Sequence, residues 1–172
     1  MAVIPEYVSR SVPNPFQGLL GDALPPAGTY LATIIDIKDM FAVTHAKWQE
    51  DYNAKPTMIT EDMTCFLFGY RDGLGAKHMV ATKPEPISGN MKSNLYKFLN
   101  GLLGVAPRIG WDYMELKGKQ CQITVEHVAK KNNGGFYVKV KSAFPLPVGG
   151  FVTPPVAPQP QAYAPQPPPA PP

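Results

Sequence analysis

Leu116–Phe144, LKGKQCQITVEHVAKKNNGGFYVKVKSAF, alternates apolar with polar residues on either side of a glycine-rich centre. Side chains of a strand point to opposite faces with period two. Cys121, Ile123 and Val125 therefore share one face, and Gln122, Thr124 and Glu126 the other. Lys130-Lys131-Asn132-Asn133-Gly134-Gly135 supplies the reversal, because asparagine and glycine tolerate positive φ. On the return, Phe136, Val138 and Val140 line one side while Tyr137, Lys139 and Lys141 line the other. The pattern predicts a β-hairpin whose outer face sets an aromatic among lysines. The stretch holds six lysines against one acid, Glu126, although the whole chain has a formal net charge of only +3. Positive charge is concentrated here, in residue types that suit a polyanion carrying flat bases. Lysine also keeps edge strands soluble, so a merely solvated face is the competing reading.

Outward from the hairpin, a chain of 172 residues predicts a single domain that folds without disulfides or metal. Cys65 and Cys121 both sit in apolar runs and read as a reduced, buried pair. Twenty-one prolines exclude an all-helical protein. No apolar run approaches the roughly 18–20 residues of a membrane span, and MAVIPEYVSR lacks the pattern of a signal peptide. The expectation is a cytoplasmic protein with no membrane partner.

Residues 1–27, with five prolines, predict an extended arm that Ile4, Tyr7, Val8, Phe16, Leu19 and Leu20 could dock. Gly28–Ile37 is the first strand, apolar on both faces and so central or strongly curved. Lys38–Asp62 predicts a long loop, with a short helix over Ala42–Tyr52 that would put Trp48 and Tyr52 on one face. Met63–Tyr70 and Ala76–Thr82 are strands two and three, joined through Arg71-Asp72-Gly73-Leu74-Gly75; Lys83-Pro84-Glu85-Pro86 ends the pair. Ser88–Gly104 is an amphipathic helix, with Leu95, Phe98, Leu99, Leu102 and Leu103 forming one stripe. Ser88, Asn90 or Ser93 could cap its start, and Gly104 suits its end. One short helical turn fits the connector before the hairpin. From Pro145 onward twelve of 28 residues are proline and none is charged, so 148–172 is expected to be a disordered proline-rich tail.

This order predicts a mainly β protein: a five-stranded OB-like Greek-key barrel over residues 28–147, with one amphipathic helix between strands three and four. Such barrels bind single strands on the face of strands two and three and on the flanking loops. Those positions here hold Trp48, Tyr52, Phe66, Phe68, Tyr70, Arg71, Lys77, Lys130, Lys131, Tyr137, Lys139 and Lys141. Aromatics stack on bases of any sequence, and lysines neutralise phosphates.

Three segments carry a family resemblance: LPPAGTYLATIIDIKD (24–39), SNLYKFLNGLLG (93–104) and ELKGKQCQITVEHVAKKNNGGFYVKVKSAFPLP (115–147). Together they resemble small bacteriophage proteins of the single-stranded-DNA-binding type, over roughly residues 24–147. The resemblance implies an OB-fold, a role in DNA replication, recombination or repair, and residence in the host cytoplasm. It supplies no catalytic residue. Many such proteins end in an acidic tail that recruits partners, whereas this tail is uncharged. Replication or recombination proteins could instead dock on its prolines, and a homo-oligomer is compatible with the sequence.

Other chemistries find little support. Cys65, His78, Cys121 and His127 lack zinc-ligand spacing. Gly69, Gly73 and Gly75 read as turn glycines without a following helix, so there is no phosphate loop. Cys121 and His127 would lie about 20 Å apart along a strand, too far for a nucleophile and its base. The scattered acids show no nuclease spacing. No enzyme, metal or cofactor is expected. The alternative function is a protein-interaction adaptor or virion-associated module acting through the proline-rich tail.

Overall fold

The strand on which the sheet is assembled, β1, runs from Gly28 to Ala46 and has a partner on each edge. The computed structural model describes residues 12–21, 24–47, 55–130 and 134–146. Residues 1–11, the segments holding Trp48, Tyr52 and Lys131, and the tail expected at 148–172 lie outside them. In chain order, β1 is followed by β2 (Met58–Arg71), β3 (Lys77–Ala81), β4 (Glu85–Pro86), the helix α1 (Asn94–Leu103), β5 (Gln120–Ala129) and β6 (Phe136–Phe144). All pair antiparallel in one sheet of order β3-β2-β1-β5-β6, with β4 attached to β2. Five strands were expected; Glu85–Pro86 is a sixth, opposite Met63 and Thr64. Proline is tolerated there because the segment is a short edge with, among the described residues, no further strand to donate to.

The largest departure from expectation concerns Lys38–Asp62. Instead of a loop with a helix, β1 continues nine residues past Ile37 and β2 starts five before Met63, forming a two-stranded ribbon. Its rungs include Val43↔Glu61, Thr44↔Thr60 and His45↔Ile59. Cross-strand side chains hold it: the Thr44 and Thr60 hydroxyls lie 2.7 Å apart, and His45 Nε2 lies 2.8 Å from Glu61 Oε1. Pairs of this kind stabilise a sheet by about 0.2–1 kcal/mol each. A bulge between Met40 and Val43 obscures the alternation that would have marked the strand. Ala42 sits there at φ 51, and its N–H donates to Asp62 Oδ1 at 2.9 Å. A left-handed alanine costs about 1 kcal/mol or more, which that hydrogen bond offsets.

A second bulge, between Ile34 and Asp36, leaves Ile35 unpaired over β2. A Cβ on Gly69 would stand 2.5 Å from Ile35 Cδ1. Gly69 is thus a strand glycine that makes room for the bulge, not a turn glycine as its sequence context suggested.

The core lies inside the curl of the sheet, where Ala32, Ile34, Ile37, Phe66, Phe68, Val80, Cys121, Ile123 and Val125 meet Leu95, Leu99 and Leu102 of α1. The helix begins six residues later than expected, because Ser88 and Asn90 turn the backbone locally: Asn90 N donates to Ser88 Oγ and Lys92 N to Asn90 Oδ1. Ser93 is the cap, its Oγ accepting from Tyr96 N at 3.1 Å, and Gly104 ends the helix at φ 72. The short turn before the hairpin is a 3-10 segment, Tyr113–Leu116, capped by Asp112. β3 and β6, the ends of the strand order, approach each other without pairing. α1 packs beside this opening, against β4 and β6.

The described part of the arm is docked. Phe16 is only 2% exposed, packed on Cys65, Leu67 and Ala81 with Leu20 alongside, whereas Leu19 faces solvent. Asn14 Nδ2 donates to the Thr82 carbonyl at 3.1 Å, fixing the arm across β2 and β3. Among the described residues no helix is long and apolar enough to cross a membrane.

Candidate nucleic-acid interface

The alternation of β2 decides the fate of three expected site residues. Thr64, Phe66, Phe68 and Tyr70 share the face turned into the curl, and Met63, Cys65 and Leu67 the opposite one. Phe66 (2% exposed), Phe68 (0%) and Tyr70 (5%) are consequently core residues and cannot stack on a base, contrary to the expectation that they line a binding surface. Phe66 packs on Phe98 with centroids 5.1 Å apart, and Tyr70 stacks on Tyr30 at 4.4 Å. The Tyr70 hydroxyl donates to the Pro26 carbonyl, and burial first, then the nearby Tyr30 and Asp72, raises its pKa well above the ordinary tyrosine value. The other face of β2 is not free either, since Phe16 covers its middle.

The remaining described candidates form two exposed clusters. Arg71 and Lys77 are directly opposite each other on β2 and β3, with Arg71 Nη1 donating to the Gly75 carbonyl at 3.0 Å. Tyr137, Lys139 and Lys141 lie on β6, at the other end of the strand order, with Lys130 at the base of the turn. Tyr137 is 45% exposed. Lys139 stands opposite Glu126, while Lys141 Nζ lies 3.8 Å from Glu126 Oε2, a loose and solvent-screened pair. Lys141 is the extra residue of a bulge opposite Thr124 and Val125, so the inward face continues at Ala143 rather than Ser142. Phe136, expected on one side with Val138 and Val140, is 55% exposed because it pairs with Ala129 toward the tip of the hairpin, beyond the core.

Sequence reasoning missed the concavity next to these lysines. A groove of about 390 Å³ opens between α1 and β6, where Lys97 and Phe98 of the helix face Lys139, Lys141 and Phe144 of the strand, with Lys83 and Glu85 at its rim. Lys97 and Phe98 are separated from β6 by some forty residues of chain, and only packing brings them together. The helical stripe signalled a core contact for Phe98 and nothing for Lys97. Phe41, 72% exposed on the ribbon, was likewise hidden in the expected loop.

Several ionisable groups elsewhere have structural partners. Lys117 Nζ, 2.7 Å from Asp36 Oδ1, holds that carboxyl below its ordinary range. His78 does the same to Asp72 at 2.7 Å. Burial pushes the Cys65 thiol up to about 11 and that of Cys121 up to about 12, so both free thiols stay protonated at neutral pH. Among the described residues no three His, Cys, Asp or Glu side chains converge as metal ligands. What the exposed residues can do is bind a polyanion: accessible rings at Phe136, Tyr137 and Phe144 flank Lys139 and Lys141 along β6, and Phe144, Lys139 and Lys141 line the groove. No protein-family model, curated protein or solved structure matches the chain.

Proposed function

We propose that this chain binds single-stranded DNA without sequence preference and keeps it extended during replication, recombination or repair. The observation that carries the reading is the outer face of β6, where Tyr137 is exposed between Lys130 and the pair Lys139 and Lys141. A ring supplies stacking of about 1–3 kcal/mol per base, and the ammonium groups release counterions from phosphates. The strand order β3-β2-β1-β5-β6, with a helix entering before β5, supports an OB-like barrel in which β4 is an annex of β2. The sequence resemblance to phage single-strand binders points the same way. The chain acts by binding and performs no covalent chemistry.

Fluorescence-anisotropy titration of a labelled poly-dT oligonucleotide and its duplex counterpart, across a salt series, tests this. The expected result is single-strand binding that weakens with salt and a much poorer duplex. Absence of single-strand binding at low salt would sink the proposal. The proline content of 148–172 favours a second, compatible role in recruiting a partner with an aromatic groove. Deleting 150–172 is then expected to abolish that partner's capture while leaving DNA affinity nearly unchanged.

A further inference from the structure

We infer that the groove between α1 and β6 seats one nucleotide of the bound strand, its phosphate between Lys97 and Lys139 and its base against Phe98 and Phe144. The inference rests on the single-strand reading and gives it a location that the reading itself does not require. At about 390 Å³ the groove falls within the roughly 300–1,000 Å³ typical of small-ligand sites.

Its charge is lopsided. Lys83, Lys97, Lys139 and Lys141 line it against a single acid, Glu85. That carboxylate is already engaged by Lys83 at 3.2 Å and by Asn94 at 3.1 Å. Lys97 and Lys139 come from different elements, and neither is within ion-pair distance of an acid among the described residues. Two ammonium groups on opposing walls, neither held in an ion pair, suit a phosphate.

An independent observation comes from Thr64, which also lines the groove. It is 1% exposed, and among the described residues its hydroxyl makes no hydrogen bond of good geometry; the polar group nearest to hand is the Tyr113 hydroxyl, which donates to Asp39 Oδ1 at 2.7 Å and can accept only weakly from Thr64. A buried hydroxyl so poorly met costs up to about 1–3 kcal/mol, and a polar atom of a ligand would relieve that cost. The groove further runs along the edge of β6 that no strand covers among the described residues, the kind of edge that offers unpaired backbone groups. Such an edge could also take a peptide strand, but an uncharged peptide would leave the lysines without counter-charge. The balance favours nucleic acid.

The test uses the full chain and a labelled dT oligonucleotide of about 20 residues. Lys97→Glu is expected to weaken binding about tenfold and to flatten the salt dependence by about 0.7 log unit, the share of a single neutralised phosphate. Lys97→Gln should fall between it and the parent. Lys92→Glu, an equally exposed charge reversal outside the groove, should change affinity by less than about twofold. Lys97 is exposed, and circular dichroism checks that both reversals fold. In a parallel arm, a 5-iodouracil oligonucleotide should photocouple at Phe98 or Phe144. Equal effects of Lys97→Glu and Lys92→Glu, while Tyr137→Ala still weakens binding, would overturn the seat and leave the single-strand reading intact. Photocoupling at neither aromatic would overturn it as well. A photoreactive side chain at position 97 that couples to residues beyond 146 in the free protein would put a peptide there instead. Absence of oligonucleotide binding by the parent chain would remove both proposals together.

Discussion

β2 and β6 carry the same kinds of residue to opposite ends. Both carry aromatic and aliphatic side chains, yet Phe66, Phe68 and Tyr70 are sealed in the core while Tyr137 and Phe144 remain accessible. The difference lies in position within the sheet. β2 has strands on both sides, α1 beneath one face and the arm over part of the other, so both its parities are covered. Among the described residues β6 is an edge strand with one covered face. An aromatic residue in a strand is a candidate for stacking only after the covering of its face is known.

That contrast can be broken by substitution. Phe66→Ala should have the largest effect, about 3–5 kcal/mol of lost stability read from denaturant unfolding, because a buried ring leaves a cavity among Phe68, Phe98 and Tyr113. A loss below about 1 kcal/mol would mean that the inner face of β2 is not a packed core. Phe16→Ala should come next, at about 2–4 kcal/mol, and should act locally. Freed of its cover, Cys65 should react with a thiol reagent at mildly alkaline pH much faster than in the parent, while Cys121 stays protected until the domain unfolds. Equal rates for both thiols would show that the arm is not a separable layer.

Tyr137→Ala on β6 should reverse the pattern. Stability should change by less than about 0.5 kcal/mol, whereas single-strand affinity should fall by about 1–3 kcal/mol. Unchanged affinity would return the outer face of β6 to a solubilising role. The smallest effect is expected from Asp36→Asn. The folded carboxyl is held below its ordinary value by Lys117, so its contribution is present above about pH 4 and is lost as pH falls through the lowered folded value. Because the pair is exposed, the contribution should stay under about 1 kcal/mol, seen as a shallower loss of stability between about pH 5 and 2 in the variant.

These contrasts also mark what sequence conveys. The β5–β6 hairpin was legible because its alternation is regular through Val125 and its turn residues leave no other reading. α1 was legible from its leucine stripe and from Gly104, and only its start slipped, where Ser88 and Asn90 compete with Ser93. The ribbon of β1 and β2 was not, since the bulge at Ala42 breaks the period and Thr44, His45 and Glu61 look like loop residues until they pair across it. For the interface, the exposed lysines of β6 could be read directly. The buried state of Phe66, Phe68 and Tyr70 could not, because alternation divides a strand into two faces without saying which is covered. Nor could the groove, whose walls meet only through the packing of α1 on the sheet.

The double pairing of β1 has a consequence for how the chain is made. Its rungs with β2 form within a hairpin, but Gly28–Thr33 must wait for Gln120–Val125. At about 5–20 residues per second, a ribosome needs roughly 5–20 s to deliver that second partner. During that interval one edge of the central strand stands open, with Leu31 and Ile35 beside it. Such an edge templates wrong pairings. Slow synthesis or truncation before residue 120 is therefore the circumstance in which this chain is most exposed to aggregation, whatever the stability of the finished domain.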